Sequence, residues 1–209
     1  MDDPLRMYLV VRRGAVSSLA EGGELAGAAA VACVRAFAGD ADLAAWRLRP
    51  GKVTLRARGG QWDALLAEEP HVLAGDAVAA LPPRRRSARG PLLERMQAMT
   101  TALEPPPAEA DPDPARLTYV LNPVPDMSSG KTLAQIAHAA VMAADRPELG
   151  PWVEAGCPAR VVVPSDRAFR ALSDSDRLAA KVVDAGLTEV APGTVTVLAL
   201  PPDGGAAGR

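Results

Sequence analysis

The sequence predicts an α/β protein in two similar halves, each with a layered sheet whose strands alternate with helices. Short apolar runs alternate with alanine-rich helical segments along the 209 residues. A proline-rich, acidic segment divides the chain, and the order of elements before it recurs after it. Hydrophobic residues make up 48% of the chain, which is enough to build a core.

Composition excludes several classes of protein. No stretch reaches about 18 uninterrupted apolar residues, so we expect no membrane span. The opening residues, MDDPLRMYLVV, place acids before a short apolar run, which argues against a secretory signal and favours a cytoplasmic protein. Two cysteines and two histidines, far apart in sequence, form neither a disulfide framework nor a local zinc motif. The net charge of −2 is by itself no nucleic-acid signature.

The N-terminal portion begins with an apolar strand, MYLVVRR. We then predict a helix at GELAGAAAVACVRAF. The next segment, GKVTLRARGGQWDALL, resembles PARVVVPSDRAFRAL of the later half, and AVAALPP resembles its closing strand. A basic break, LPPRRRSARGP, covers residues 81–91. The apolar residues that follow it roughly keep helical spacing, which predicts a helix through PLLERMQAMTTALE.

The domain boundary is the segment from Glu104 to Pro114, which holds five prolines and four acids in eleven residues. Because proline removes a backbone donor and fixes φ, this segment is predicted to be an extended, solvated linker. We therefore divide the chain into a domain at 1–90, a helix and acidic linker at 91–114, and a second domain at 115–209.

The second domain opens with a strand at LTYVLNP and a helix at SSGKTLAQIAHAAVMAADRP, with serines before it and a proline after it. Further strands are predicted at ARVVVP and TVTVLALP. Between them, Ser173 and Asp176 match a capping box, which predicts a helix through LSDSDRLAAKVV that ends at Asp184.

The two portions share the order of these elements. The helix GELAGAAAVACVRAF aligns with GKTLAQIAHAAVMAA at an offset of 107 residues, and AVAALPP resembles TVLALPP. We interpret this order as an internal duplication in which the N-terminal copy has diverged.

The most suggestive local string is SSGKT, residues 128–132. A P-loop would need a glycine at position 125, where the chain has Pro125, so a P-loop kinase is disfavoured. A helix N-terminus preceded by hydroxyl groups can still hold an anion. Lys131, Gln135 and His138 follow at helical spacing on one face, which is either a catalytic stripe or an ordinary solvated one.

Two segments together carry a family resemblance. The first reads Met127, Ser128, Gly130, Lys131, Ala134, Gln135, His138 and Ala139, and the second reads Asp184, Ala185, Gly186, Thr188, Pro192, Gly193, Thr194 and Thr196. In this order and separation they resemble the archaeal and eukaryotic type of peptidyl-tRNA hydrolase, called type II. The resemblance covers about residues 116–202.

The resemblance implies an α/β/α sandwich on a four-stranded mixed sheet, and hydrolysis of the ester between peptide and tRNA in peptidyl-tRNA. It implies no metal and no organic cofactor. The family's functional positions correspond to Lys131, Gln135, Asp184, Thr188 and Thr196. Candidates for substrate binding are Ser128, Ser129, Gly130, His138, Gly193 and Thr194.

The chain departs from the family pattern at two places that are usually basic and here are Asn122 and Leu187. In the N-terminal copy, the 107-residue offset places Glu24 at the position of Lys131, so this copy is predicted to be catalytically inactive. Its arginines at 84–86 and 89 could hold tRNA phosphates or form a solvated loop.

Two functions of different class stay open from the sequence: the esterase, and a non-catalytic module that binds tRNA or protein through the same fold. The expected assembly is a monomer in which the two halves pack as a pseudo-dimer. The apolar helix face Leu25, Ala29, Ala32 and Ala36 would be covered by the other half.

Overall fold

The computed structural model describes residues 3–110 and 113–202. The last residues, 203–209, and positions 111–112 of the linker lie outside the described residues. Among the described residues, none of the helices combines the length and apolar character that crossing a bilayer requires.

Five strands and four helices are formed by the described residues of the N-terminal half. In chain order they are β1 (Leu5–Arg12), α1 (Leu19–Ala36), α2 (Ala41–Leu48), β2 (Lys52–Ala57), α3 (Gly60–Glu68), β3 (Val72–Ala74), β4 (Val78–Arg85), α4 (Gly90–Glu94) and β5 (Gln97–Ala98). A 3₁₀ turn, Arg86–Ala88, precedes α4.

In the part of the C-terminal half that the structure describes, there are four strands and three helices. They are β6 (Leu117–Leu121), α5 (Ser129–Ala144), α6 (Gly150–Glu154), β7 (Ala159–Val162), α7 (Asp166–Ser173), β8 (Ala180–Val183) and β9 (Val195–Leu200). A 3₁₀ turn, Pro147–Leu149, precedes α6.

The two sheets have the same topology. The first has the order β3-β4-β1-β2-β5 and the second β8-β9-β6-β7, so β3-β4-β1-β2 corresponds to β8-β9-β6-β7 strand for strand. In both sheets the third and fourth of these strands are parallel, and the other neighbours are antiparallel. The predicted mixed α/β architecture is thereby confirmed, with β5 added at one edge of the first sheet.

The helices α1 and α5 pack against each other between the two sheets. Helix α1 contacts β3 and β4 of its own sheet and β7 of the other, while α5 contacts β8 and β9 and also β2. One apolar cluster contains residues from both sheets and both helices. Helices α3 and α4 lie on the outer face of the first sheet, and α7 lies on that of the second.

Two glycines allow α1 to pack closely against the C-terminal half. A Cβ at Gly23 would come within 2.7 Å of Ile136 and 2.8 Å of Val161, and a Cβ at Gly27 within 2.7 Å of the Tyr119 hydroxyl. The predicted covering of α1 by the other half is therefore present. The predicted face is only partly right, because Ala29 is buried while Ala36 is exposed.

Two predicted helices are wrong. The segment after Pro91 is helical only to Glu94, because the chain then extends along β2 and Met99 N donates to Thr54 O at 3.0 Å. The capping pattern at Ser173 begins no helix. The helix there, α7, starts earlier, with Ser165 as its N-cap, and residues 180–183 form a strand because they pair with β9.

The helix caps also correct the offset between the halves. Ser18 caps α1 and Ser128 caps α5, which aligns the two helices at 110 residues rather than 107. Glu21 therefore occupies the position of Lys131, and Leu25 that of Gln135.

Residues 104–107 of the linker are hydrogen-bonded to both halves. Leu19 N donates to Glu104 O at 2.8 Å, and Glu104 N donates to Ser17 O at 3.0 Å. Further along, Val163 N donates to Pro107 O at 2.9 Å.

Candidate active site

The N-terminus of α5 positions a lysine. The Ser128 hydroxyl accepts a hydrogen bond from Lys131 N at 3.2 Å, so the helix begins one turn before this side chain. Glu189 fixes the cap in turn, because it accepts from Ser128 N at 2.7 Å and from the Ser128 hydroxyl at 2.8 Å. The loop that carries Glu189 is thereby tied to the helix.

That loop joins β8 to β9 and begins with Asp184. Its ends are closed by hydrogen bonds from Asp184 N to Thr194 O at 2.8 Å and from Gly193 N to Asp184 O at 2.9 Å. Gly186 has φ of +74°, and a Cβ there would lie 2.5 Å from Pro192. Glycine is therefore required where the loop folds back on itself.

Four side chains form a hydrogen-bonded cluster around the Asp184 carboxylate: two bond it directly, and each of these is bonded by a threonine. Lys131 Nζ lies 2.5 Å from Asp184 Oδ2, and Gln135 Nε2 donates to the same oxygen at 2.7 Å. Lys131 Nζ also donates to the Thr188 hydroxyl at 3.1 Å. The Thr196 hydroxyl donates to Gln135 Oε1 at 2.9 Å, which orients the amide so that its nitrogen faces the carboxylate.

Burial and charge set the state of this cluster. The exposed fractions of the Lys131 and Asp184 side chains are 14% and 7%. Desolvation raises the pKa of Asp184, but hydrogen bonds from Lys131, Gly186 and Gln135, together with the lysine charge, outweigh it and leave the pKa below its ordinary value. The carboxylate is therefore ionised at neutral pH and paired with an ammonium group.

The segment of the chain that resembles known proteins includes this cluster. A model of the family described as Peptidyl-tRNA hydrolase PTH2 matches residues 117–206. A protein from Thermoplasma acidophilum, named peptidyl-tRNA hydrolase, is 36% identical over 89 residues, covering 37% of this chain and 76% of that protein. The chain belongs to the PTH2 family. The matched segment contains all the residues of the cluster around Asp184, and the N-terminal half lies outside it.

The five residues predicted to be catalytic are brought together, but in two layers. Gln135 and Thr196 are buried, with 4% and 0% of their surface exposed; Gln135 donates to Asp184, and Thr196 holds Gln135 in place. Lys131 and Thr188 lie on the outer side. Because Lys131 donates to the Thr188 oxygen, the threonine hydroxyl proton is free to bond another acceptor.

Most of the residues predicted to bind substrate fall into two groups, one that holds the backbone around the cluster and one that contacts the segment following β5. Ser128 and Thr194 hold backbone around the cluster, since the Thr194 hydroxyl donates to Ala191 O at 2.7 Å. The Ser129 hydroxyl accepts from Leu103 N at 3.0 Å, and a Cβ at Gly130 would collide with Met99 O. Ser129 and Gly130 therefore contact the chain segment 99–103, which we call the strap.

His138 is not brought to the cluster around Asp184. Its Nδ1 lies 3.0 Å from Lys52 Nζ of the N-terminal half, and this amine is 4.5 Å from the centre of the Trp46 ring. Burial, and then the charges of Lys52 and Lys131, lower the pKa of His138 well below its ordinary value. The ring is neutral at pH 7 and can accept a hydrogen bond from the lysine.

No sequence pattern marks Glu189 or the strap as part of the site. Glu189 lies within the second motif at a variable position, so no motif letter marks it. The strap falls in a segment predicted to be helical. Its proximity to Gly130 follows from β5, whose pairing with β2 no local pattern indicates.

The two departures from the family pattern surround the same loop. Asn122 Nδ2 donates to Val195 O at 2.7 Å, so the amide supports the start of β9 where a basic side chain is usual. Leu187 is 75% exposed beside Thr188. Among the described residues, no group of three or more His, Cys, Asp and Glu side chains has the arrangement of a metal site.

Proposed function

We propose that this protein hydrolyses the ester bond between peptide and tRNA in peptidyl-tRNA and releases free tRNA. The observation that carries the proposal is the buried Lys131–Asp184 ion pair, which contacts Thr188 at the surface of the family-matched segment. Ester hydrolysis needs an oriented water, donors for the oxyanion and a grip on the substrate, and this cluster offers the first two.

Asp184 orients the attacking water. Its Oδ2 is occupied by Lys131 and Gln135, while Oδ1 accepts only the Gly186 amide, at 2.8 Å, among the described residues. A carboxylate oxygen has two acceptor sites, so Oδ1 can hold a water as well. The lowered pKa makes this carboxylate a weak base, which favours orientation of the water over full removal of its proton.

Lys131 and Thr188 stabilise the negative charge of the tetrahedral intermediate. The ammonium group and the free hydroxyl proton are donors on the outer side of the cluster, where a carbonyl oxygen can approach. When the intermediate collapses, the bond between the acyl carbon and the ribose oxygen breaks. The proton lost by the water ends on that oxygen, and no covalent enzyme intermediate forms.

The rival function is a non-catalytic module that binds tRNA or protein. The mutual support of Lys131, Gln135, Asp184 and Thr196 argues against it, because a chain selected only for binding has no need of a carboxylate held by three donors. We place the activity in the cytoplasm as part of the same proposal. Both cysteines are free and buried, which fits a reducing compartment.

The test is the release of N-acetylated amino acid from N-acetyl-aminoacyl-tRNA by the purified full chain. The proposal expects multiple turnovers and accumulation of uncharged tRNA. Stoichiometric binding of the substrate with no release would overturn it in favour of the binding module. A Gln135→Ala variant, expected to be slower, excludes a contaminating hydrolase.

A further inference from the structure

The two halves present the same end of their sheets on one side of the molecule. Gly22, near the start of α1, faces Leu133 near the start of α5, and Gly27, further along α1, faces Ala140, further along α5. The two helices therefore run parallel. Each helix follows a strand, β1 or β6, and each of these strands has a parallel neighbour. The carboxyl ends of β1 and β2 therefore lie on the same side as the N-terminus of α5 and Lys131.

Arginines occupy those strand ends in the N-terminal half. Arg12 and Arg13 end β1, and Arg56 and Arg58 end β2. Arg12 pairs with Asp76, but Arg56 donates to the neutral Thr101 hydroxyl and Arg58 to the neutral Gln97 amide oxygen at 2.6 Å. The exposed Arg13 side chain has no partner within residues 3–110 and 113–202.

This surface is continuous with the catalytic cluster through the strap. Thr101 binds Arg56, Met99 O packs on Gly130, and Leu103 N bonds the Ser129 hydroxyl, one residue before Gly130 and two before Lys131. A polyanion that places its ester at Lys131 thus has the strap and then the arginines directly beside it.

The arginine run at 84–89 lies at the opposite end of the same sheet. Strand β4 is antiparallel to β1, and Arg84 and Arg85 lie beside Arg6 and Leu5, at the start of β1. Two of its members are already engaged: Arg84 pairs with Glu69 at 2.7 Å, and Arg89 donates to Leu93 O at 2.5 Å. The run is therefore poorly placed to serve the catalytic cluster.

We propose that Arg13 and Arg58 of the N-terminal half bind backbone phosphates of the RNA whose ester lies at Lys131. The inference rests on the proposed function. The C-terminal segment 115–209 has nine basic and ten acidic groups, so it supplies little net attraction for a polyanion. Arginines without carboxylate partners retain their full charge for phosphate, and such contacts carry most of the salt-dependent affinity for nucleic acid.

The test compares two charge-matched variants of the full chain, Arg13→Gln/Arg58→Gln and Arg85→Gln/Arg86→Gln, each of which loses two positive charges. Binding of uncharged tRNA is measured as a function of salt, and hydrolysis of N-acetyl-aminoacyl-tRNA is measured separately. The first variant should reduce the slope of log K against log salt by about two, one for each phosphate that its arginine no longer neutralises. It should raise KM and leave kcat within about twofold.

An unchanged slope in Arg13→Gln/Arg58→Gln, or an equal reduction in both variants, would overturn the inference. Absence of hydrolysis by the unaltered chain would instead refute the proposed function, because the binding measurement needs no catalysis. Thermal unfolding of both variants controls for folding, and the exposure of all four side chains predicts unchanged stability.

Discussion

The two halves share a sheet topology but differ in the connection between their last two strands. In the N-terminal half, three residues, 75–77, join β3 to β4, whereas eleven residues, 184–194, join β8 to β9. The longer loop supplies Asp184, Thr188 and Glu189. The equivalent of Lys131 on α1 is Glu21, which accepts a hydrogen bond from Ser17 N at 3.2 Å and only caps its own helix. One fold therefore supports a candidate reaction centre only where the loop and the lysine occur together.

The largest expected effect concerns the lysine itself. Lys131→Ala should reduce hydrolysis of N-acetyl-aminoacyl-tRNA by on the order of 10²–10⁴, because a positioned charge is removed from the transition state. Glu21→Ala, at the same helical position in the other half, should leave the rate nearly unchanged. Equal rates for the two variants would contradict the assignment of chemistry to the C-terminal half.

A second prediction addresses the shared core. The segment 115–209 alone should dimerise, aggregate or lose stability, because the α5 side chains Leu133, Ile136 and Ala140 are fully buried and would no longer be covered by α1. The full chain should be monomeric. Light scattering and thermal unfolding of both proteins test this, and a stable monomeric fragment would make the N-terminal half an independent appendage.

The strap gives a third prediction. Gly130→Ala should destabilise the protein by about 1–3 kcal/mol, since its Cβ would collide with the backbone oxygen of Met99 and the strap would have to move. The equivalent position in α1 is Ala20, where a Cβ is already present. Gly39→Ala is a control with open space around the added atom. Chemical denaturation measures the difference, and equal stabilities would refute the close contact.

The smallest expected effect is a pH dependence of stability. Burial, followed by the charge of Arg47, lowers the pKa of Lys52 well below its ordinary value of 10.5, while Asp145 and Cys33 act in the opposite direction. At pH values between the lowered pKa of the folded chain and the ordinary pKa of the unfolded chain, Lys52 binds a proton only in the unfolded chain. The free energy of unfolding therefore rises with pH in this range.

Lys52→Met should therefore flatten the rise in unfolding free energy that the unaltered chain shows at alkaline pH, below the ordinary lysine pKa of 10.5. The methionine keeps the apolar contact with Trp46 but carries no titratable amine. Lys181→Met, at an exposed lysine, should keep the rise. If the profile of Lys52→Met matched that of the unaltered chain, the amine would not be desolvated.

The sequence predicted those features that local patterns or the family motifs carry. The strands at LTYVL and VTVLAL and the helix behind SSGKT are confirmed. The structure also pairs Lys131 with Asp184, one residue from each of the two family motifs. Strand β8 was missed because the Ser173–Asp176 capping pattern is local, whereas the pairing of Val182 with Val197 is not. The partner of His138 was unpredictable for the same reason, since Lys52 is 86 residues away.

The central claim is that Lys131 and Asp184 act as one unit in ester hydrolysis. Single-turnover rates with enzyme in excess should be measured for Lys131→Ala, Asp184→Asn and the double variant. Because the ion pair holds both side chains in place, removing either one also displaces the other from its own role, so the double variant should be about as slow as the slower single variant. Rate reductions that multiply, or a single variant with the full rate, would show that the ion pair is not the reaction centre.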